Sequence, residues 1–259
     1  MENFMILSKF AHVIDPNNQD FIRLFWSLYD KLHIHNYFLS QLDNYFEIVK
    51  KEFNEWDRKG SLSNKNNIIL LAYFESLLNN VYSIMENVAK ITVPFFLPKY
   101  NLKRGFRKQR NWFKKNSNLP VCKEYSDYLI KNLDWYDKLN TIRSEPTHFL
   151  SGLITFDKDE NGIYIPKYFN IIKSDRNKKV FKTDKINIDL DFAHELGNNI
   201  SEFLEFYGKH FISTLDSNEQ TKISTVLLNE NTGEASIKQV SVKLKDLISG
   251  KVKLKGINR

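Results

Sequence analysis

The stretch NNIILLAYFESLLNNVYSIMENVAKI, residues 66–91, carries the clearest structural signal in the chain. Its apolar residues recur in steps of three and four, which is the spacing of one face of an α-helix. They are Leu70, Phe74, Leu77, Leu78, Val81, Ile84, Met85 and Val88. Pro94 and Pro98 follow and predict the end of this helix. A long amphipathic helix of this kind is typical of a helical bundle, so we expect a mainly α fold.

A second long apolar stripe precedes this helix, over residues 21–56. Asp15 supplies an N-cap, Pro16 suits the first helical position, and Gly60 ends the pattern. The stripe predicts either one long helix or two helices that break near residues 33–36.

The part of the chain after residue 120 mixes helical and strand patterns. Apolar stripes predict one helix over about 121–142 and another over about 190–211. Between them, β-branched residues alternate on both sides of Asn161 and Gly162. This pattern predicts a β-hairpin near residues 152–172.

Pattern and composition divide the chain into three parts. Residues 1–62 are predicted to form an N-terminal helical segment that packs on the bundle, and residues 63–216 the bundle with its hairpin. Within the bundle, KSDRNKKVFKTDK, residues 173–185, predicts a charged loop. Residues 217–259 predict a basic tail or a small hairpin, because residues 221–259 hold eight basic and three acidic side chains.

The composition limits the class of protein. With 27% charged residues and no apolar run of 18 or more, the 259-residue chain is not expected to cross a membrane. The segment MENFMILSKF lacks the basic start of a signal peptide, so we expect a cytoplasmic protein. The single cysteine, Cys122, cannot form an internal disulfide, and no metal-ligand spacing or phosphate-binding glycine loop occurs, so no metal and no cofactor is expected. Four histidines are interpreted as structural or surface residues, namely His33, His35, His194 and His210.

The net charge is +7, and its densest part lies between Lys99 and Lys115. This stretch, KYNLKRGFRKQRNWFKK, has eight Lys or Arg residues, four aromatic residues and no acidic residue. Cations that follow a phosphate backbone, with aromatic rings on which bases stack, are typical of RNA-binding surfaces. The candidate RNA-binding residues are Lys103, Arg104, Arg107, Lys108, Arg110 and Trp112. The alternative is a solvated basic helix face whose aromatic rings lie in the core.

The stretch LNTIRSEPTHFLSG, residues 139–152, holds Arg143 and His148 at the end of a predicted helix. Two helices with strong apolar stripes, followed by a helix that runs into R-x4-H, resemble the HEPN superfamily. The resemblance covers about residues 63–215. Members of this superfamily are small helical-bundle proteins of prokaryotic toxin, abortive-infection and other defence systems, and of RNA-processing enzymes. The resemblance implies an HEPN-like helical bundle, here with an inserted β-hairpin and a small basic C-terminal appendage.

The resemblance also implies a function. Active HEPN proteins are metal-independent endoribonucleases that work as homodimers, with both Arg-His pairs facing a shared cleft. By this resemblance, His148 transfers protons and Arg143 holds the phosphate, with Ser144 and Glu145 in supporting positions. An imidazole titrates near neutral pH, and a guanidinium donates paired hydrogen bonds to phosphate oxygens, which suits both roles. The implied partners are a second copy of the chain, RNA, and an antitoxin or other defence-system protein.

Two features of the motif depart from the family. Ser144 stands where the family often has Asn, Asp or His. Pro146 lacks the N–H that would bond back to Ile142, so we expect a break or kink in the helix. On an unbroken helix, positions five apart face about 140° from each other. The break therefore decides whether Arg143 and His148 come together.

Two other interpretations stay open. The dipole of a helix favours cations near its C-terminus, and Glu145 can pair with either cation, so Arg143 and His148 also fit an ordinary helix end in an unrelated scaffold. A non-catalytic HEPN-type module would use the same bundle for dimerisation, or for binding nucleic acid or a protein. Only the enzyme requires the arginine and the histidine in one cleft.

Overall fold

The computed structural model describes residues 2–9, 19–59, 64–96, 100–116, 123–148, 152–173, 183–214, 220–228 and 235–243. Within these residues the chain forms seven α-helices and five strands, so the predicted mainly α fold is confirmed. The helices are α1 (Glu2–Lys9), α2 (Gln19–Lys59), α3 (Asn64–Thr92), α4 (Phe106–Lys115), α5 (Lys123–Lys131), α6 (Asp134–His148) and α7 (Leu190–Thr214). The strands are β1 (Leu153–Lys158), β2 (Tyr164–Lys173), β3 (Thr183–Ile188), β4 (Gln220–Leu228) and β5 (Ala235–Lys243).

Helix α2 is one unbroken helix, the first of the two alternatives that its sequence allows. Leu28 and Leu32 belong to its buried face, and the next position on that face is His35, which is only 3% exposed. The apolar stripe therefore continues through His35, because the imidazole fills a core position that an apolar residue usually takes. The proposed N-cap, Asp15, and Pro16 lie outside the described residues.

Helix α3 has the predicted extent and ends before a 3₁₀ turn, Val93–Phe96. By length and composition alone, the segment Lys65–Phe96 is also apolar enough to cross a membrane. Core packing accounts for this composition, because many of its apolar side chains are buried. They include Leu70, Phe74, Leu77, Leu78, Val81, Ile84, Met85, Val88 and Ile91.

The helix predicted over residues 121–142 is wrong in two respects. It is divided into α5 and α6. The buried Leu133 directly precedes α6, and its carbonyl accepts the N–H of Tyr136 (3.1 Å). Helix α6 then continues through Pro146 to His148, so the break that was expected there, as the alternative to a kink, does not occur. A proline costs a helix one backbone hydrogen bond and a local steric clash, and neither cost ends this helix.

The predicted hairpin forms two strands of a three-stranded antiparallel sheet in the order β1-β2-β3. Its turn contains Gly162 at φ +76°, a conformation that favours glycine. The Asp159 carboxylate closes the turn by accepting the N–H groups of Asn161 and Ile163, both at 2.9 Å. The charged loop predicted over residues 173–185 is wrong at its end, where Thr183 begins β3. The sequence of β3 does not show the pattern of a strand, because backbone hydrogen bonds to β2 hold it in place.

Two compact units make up the chain, residues 1–22 with 203–259, and residues 23–202. In the first unit, α1 packs on the C-terminal part of α7, and the backbone N–H of Asn3 donates to the Glu205 carboxylate (3.1 Å). The same unit contains the antiparallel pair β4-β5, within residues 217–259, for which the sequence allowed either a basic tail or a small hairpin. The boundaries between these two units fall within α2 and α7, and the division predicted after residues 62 and 216 stays a prediction.

Candidate functional site

A polar stripe follows one face of α3. Glu75, Asn79, Tyr82 and Glu86 are spaced by four, three and four residues, so they lie along the same side of the helix. Each of them contacts a segment outside α3. At one end, the Glu75 carboxylate accepts the backbone N–H of Gly152 at 2.9 Å, just before β1.

Arg143 lies against the middle of this stripe. Its Nε donates to the side-chain oxygen of Asn79 at 3.1 Å, and its Cζ lies 4.1 Å from the centre of the Tyr82 ring. A guanidinium over a tyrosine face is a favourable cation–π contact. The side chain is half-buried. Helix α3 therefore orients the arginine of the motif within the folded chain.

The stripe continues to the start of α4. The Tyr82 and Tyr136 rings are nearly parallel with centres 6.4 Å apart, and Tyr136 meets Phe106 edge-on at 4.8 Å. The N-cap residue of α4 is Gly105, which has no side chain to bond the exposed N–H groups. The Glu86 carboxylate takes this role from α3, since it accepts the Phe106 N–H at 3.2 Å. A carboxylate there also complements the positive end of the helix dipole.

Charged residues from both the R-x4-H motif and the basic stretch affect the pKa of Tyr82. Burial raises the pKa of Tyr82, as does the Glu86 carboxylate, while Arg143 and Arg107 oppose this effect. Tyr82 is therefore neutral near pH 7, and it interacts electrostatically with an arginine of the R-x4-H motif and with an arginine of the basic stretch. Burial likewise raises the pKa of Tyr136, whose hydroxyl has no hydrogen-bond partner among the described residues.

Four of the six predicted RNA-binding residues are exposed at the start of α4. They are Lys103, Arg104, Arg107 and Lys108. The half-buried Trp112 packs edge-on against Tyr100, with ring centres 5.6 Å apart, and against Phe113 at 5.1 Å. Packing within the fold therefore covers part of the Trp112 ring.

Arg110 has a structural role instead of the RNA contact predicted from the sequence. It is 3% exposed, its Nε donates to the Leu129 carbonyl at 2.8 Å, and its guanidinium pairs with Asp137. Helical periodicity explains the difference, since positions 106, 109, 110 and 113 form the buried face of α4. The side chain therefore fastens α4 to α5 and α6.

Replacing Arg110 tests this assignment. We expect Arg110→Ala to lower the free energy of unfolding by about 2 kcal/mol, because it leaves the Leu129 carbonyl without its donor and removes a buried stem. The matched change Lys108→Ala, two residues away on the exposed face, should alter stability by less than about 0.5 kcal/mol. Urea unfolding of both variants measures the difference. Equal losses would contradict a structural role for Arg110.

The remaining motif residues have a described backbone only. Ser144, Glu145 and His148 belong to α6, but their side chains lie outside the described residues. Because α6 is unbroken, the backbone positions of Arg143 and His148 face about 140° apart around the helix axis. The enzyme interpretation, which requires both side chains in one cleft, stays a prediction.

The described histidines have local roles in the fold. His194 pairs with Asp43 at 2.8 Å, and His33 meets Tyr29 edge-on at 4.5 Å. His35 is buried, and burial, with a smaller effect of His194, lowers its pKa to about 4. His210 lies parallel to Phe206 at 5.9 Å. Among the residues with described structure, no group of three or more His, Cys, Asp or Glu side chains is arranged to hold a metal ion.

Sequence reasoning missed Tyr82 and Glu86 as members of this site. The available signal was the spacing, since polar residues at 75, 79 and 86 recur in helical steps beside the apolar stripe. Comparison of the chain with protein-family models, curated proteins and solved structures finds no match. The HEPN resemblance therefore stays a hypothesis.

Proposed function

We propose that this protein acts on RNA as a metal-independent endoribonuclease of the HEPN type. The observation that carries the proposal is the position of Arg143, held by Asn79 and Tyr82 beside the start of α4. Arg107 and its exposed basic neighbours also lie at the start of α4. A fixed guanidinium next to a cationic helix end suits a phosphodiester, because both stabilise negative charge on phosphate oxygens.

The reaction uses the RNA's own nucleophile. The 2′-oxygen attacks phosphorus as its proton passes to a base, the bond from phosphorus to the 5′-oxygen breaks, and that oxygen takes up a proton. The products are a 2′,3′-cyclic phosphate and a 5′-hydroxyl. In this proposal His148 transfers the protons and Arg143 braces the phosphate. Lys103, Arg104, Arg107 and Lys108 hold the RNA backbone on either side of the cut.

The setting of this activity is part of the proposal. By the HEPN resemblance, the protein works as a homodimer in the cytoplasm of a prokaryote, in a toxin–antitoxin or antiviral defence system. A cognate antitoxin or defence partner would control it. The positive net charge of +7 is consistent with a polyanionic substrate.

A non-catalytic RNA-binding module is the second candidate. It is favoured by the unbroken course of α6, which turns the backbone positions of Arg143 and His148 away from each other. In this case Arg143 and the basic residues bind RNA, and no bond is cut. A dimer can still bring Arg143 of one subunit near His148 of the partner subunit, which keeps the enzyme as the first candidate.

Cleavage of labelled RNA in EDTA tests the proposal. We expect wild type to produce 2′,3′-cyclic phosphate ends. Arg143→Ala should lose about 100-fold or more in rate through the lost charge stabilisation, and His148→Ala about 10²–10⁴-fold through the lost proton transfer. Each variant is first checked for folding and oligomeric state.

Binding is measured in parallel, so that the two candidates give different results. A variant with alanine at Lys103, Arg104, Arg107 and Lys108 should bind RNA more weakly and with a smaller salt dependence, by about 0.7 in slope for each lost contact to a single strand. RNA binding without cleavage would replace the nuclease by the binding module. If the wild type neither binds nor cleaves RNA, both candidates are contradicted.

A further inference from the structure

The segment that carries the R-x4-H motif contacts α3 at two points. At the first point, the Arg143 Nε donates to the Asn79 side chain at 3.1 Å. At the second point, further along the chain, the Gly152 N–H donates to the Glu75 carboxylate at 2.9 Å. Glu75 and Asn79 are four positions apart on one helix, which is a rise of about 6 Å. The chain therefore returns at Gly152 to within about one helical turn of the place where Arg143 contacts α3.

The second contact holds Gly152 from two sides. The Glu75 carboxylate bonds its N–H, and the ring of Tyr168 in β2 lies against its Cα, because a Cβ at position 152 would be 2.4 Å from two atoms of that ring. The Tyr168 ring is fully buried, and its hydroxyl accepts the Asn170 amide at 3.1 Å. It also contacts the Phe74 ring of α3, with centres 5.7 Å apart. Only glycine therefore fits at position 152 without moving a core side chain.

The position of His148 depends on this second contact as well as on α6. Pro146 has no N–H, so the last turn of α6 lacks one of its backbone hydrogen bonds. Along the axis of α6, His148 is about 7.5 Å from Arg143. Residues 149–151 join His148 to Gly152, and this length of chain spans at most roughly 14 Å. Gly152 therefore limits how far His148 can move from the α3 surface that holds Arg143.

We propose that Glu75 and Gly152 are positioning residues of the nuclease, which fix the far end of the segment 143–152. The inference rests on the proposed function, since the separation of Arg143 and His148 matters only if both act on a phosphodiester. One rigid helix, α3, then sets the positions of the phosphate-holding group and of the proton-transfer group. A displacement of about 1 Å in such a group can cost roughly 100-fold in rate.

The same anchor serves both arrangements that the proposed function allows. Arg143 can act with His148 of its own chain or with His148 of the partner subunit. In either case the histidine must be held at a fixed place on the surface of its own chain, and Gly152 is where that chain provides the hold.

The contact at Gly152 requires an acceptor atom rather than a negative charge, because its donor is a neutral backbone N–H. Glu75→Gln keeps a side-chain oxygen at the same distance from α3, whereas Glu75→Ala removes it. Glu52→Ala is the matched control, since this half-buried carboxylate accepts a hydrogen bond from Asn66 at 2.7 Å, outside the motif segment. Circular dichroism of the full chain first establishes that each variant folds.

Two measurements then test the inference. Exchange of the Gly152 N–H with deuterium, followed by NMR without RNA, should be at least about tenfold faster in Glu75→Ala. For RNA cleavage in EDTA, the kcat of Glu75→Ala should fall at least about tenfold, because His148 is no longer held in place. Its KM should change by less than about twofold, since the basic residues of α4 bind the RNA. Glu75→Gln and Glu52→Ala should stay close to wild type in both measurements.

The results that contradict this inference differ from those that contradict the nuclease. Wild-type kcat in Glu75→Ala would overturn the positioning role alone, and so would unchanged exchange of the Gly152 N–H. An equal loss of kcat in Glu75→Gln would also overturn it, because the acceptor would then be insufficient. A wild type that cleaves no RNA would overturn the proposed nuclease and this inference with it.

Discussion

Gly208→Ala is expected to lower the free energy of unfolding by about 3–5 kcal/mol, because it forces α1 away from α7 and exposes Phe4 and Leu7 to water. A Cβ at position 208 would lie 2.2 Å from the backbone nitrogen of Phe4 and 2.3 Å from the carbonyl carbon of Asn3. These are main-chain atoms, so no rotation of a side chain relieves the overlap. Phe4 is 2% exposed and Leu7 is fully buried, so their burial depends on this close approach.

Chemical denaturation of Gly208→Ala against wild type gives the measurement. Lys209→Ala is the matched control, since it changes the exposed neighbour on the same helix and should have little effect. Faster proteolysis near residues 2–9 would locate the damage at α1. Wild-type stability in Gly208→Ala would show that α1 does not pack on α7 as described.

Acid is expected to destabilise the protein through His35. Burial lowers its pKa in the folded state to about 4, below the ordinary histidine value of 6.5. Because the folded pKa is the lower one, the unfolded chain binds the proton first, and stability is lost as the pH falls from about 6.5 to about 4. The full loss is roughly 3 kcal/mol, from about 1.4 kcal/mol for each pKa unit.

His35→Leu separates this effect from those of other acidic and basic groups. Neither ring nitrogen of His35 has a hydrogen-bond partner among the described residues, and the ring packs where Gly197 leaves room. Leucine should therefore raise the stability at pH 7 by about 1 kcal/mol by removing a buried polar group without a partner. Denaturation curves of both proteins at pH 4, 5, 6 and 7 make the comparison. Parallel losses in the two proteins would assign the acid sensitivity to other groups.

Periodicity predicted the helices well where burial on one face determines the sequence. The apolar steps of α3 and α7 mark their extents, because those side chains are buried. The same reasoning allowed a helix break near residues 33–36, because the sequence does not show that His35 is buried and continues the apolar stripe. Strand β3 and helix α1 were missed because each is held by contacts with another segment rather than by its own pattern.

The candidate site was predictable in its parts but not in its assembly. Arg143 and Arg107 were identified separately, from a spaced motif and from a basic stretch. Their convergence on Tyr82 depends on how α4 and α6 pack against α3, which no local pattern encodes. The error at Arg110 has the same origin, since composition marks it as one more cation while packing turns it inward.

The contact between α1 and α7 also bears on how the protein is made. Asn3 and Glu205, which bond across it, are 202 positions apart in the chain. At about 5–20 residues per second, α1 leaves the ribosome roughly 10–40 s before its docking surface is synthesised. During that interval Phe4 and Leu7 lack the groove that buries them in the finished fold. Nascent chains should therefore present this helix to chaperones and to proteases until the C-terminal part of α7 has been synthesised, even though the finished fold conceals it.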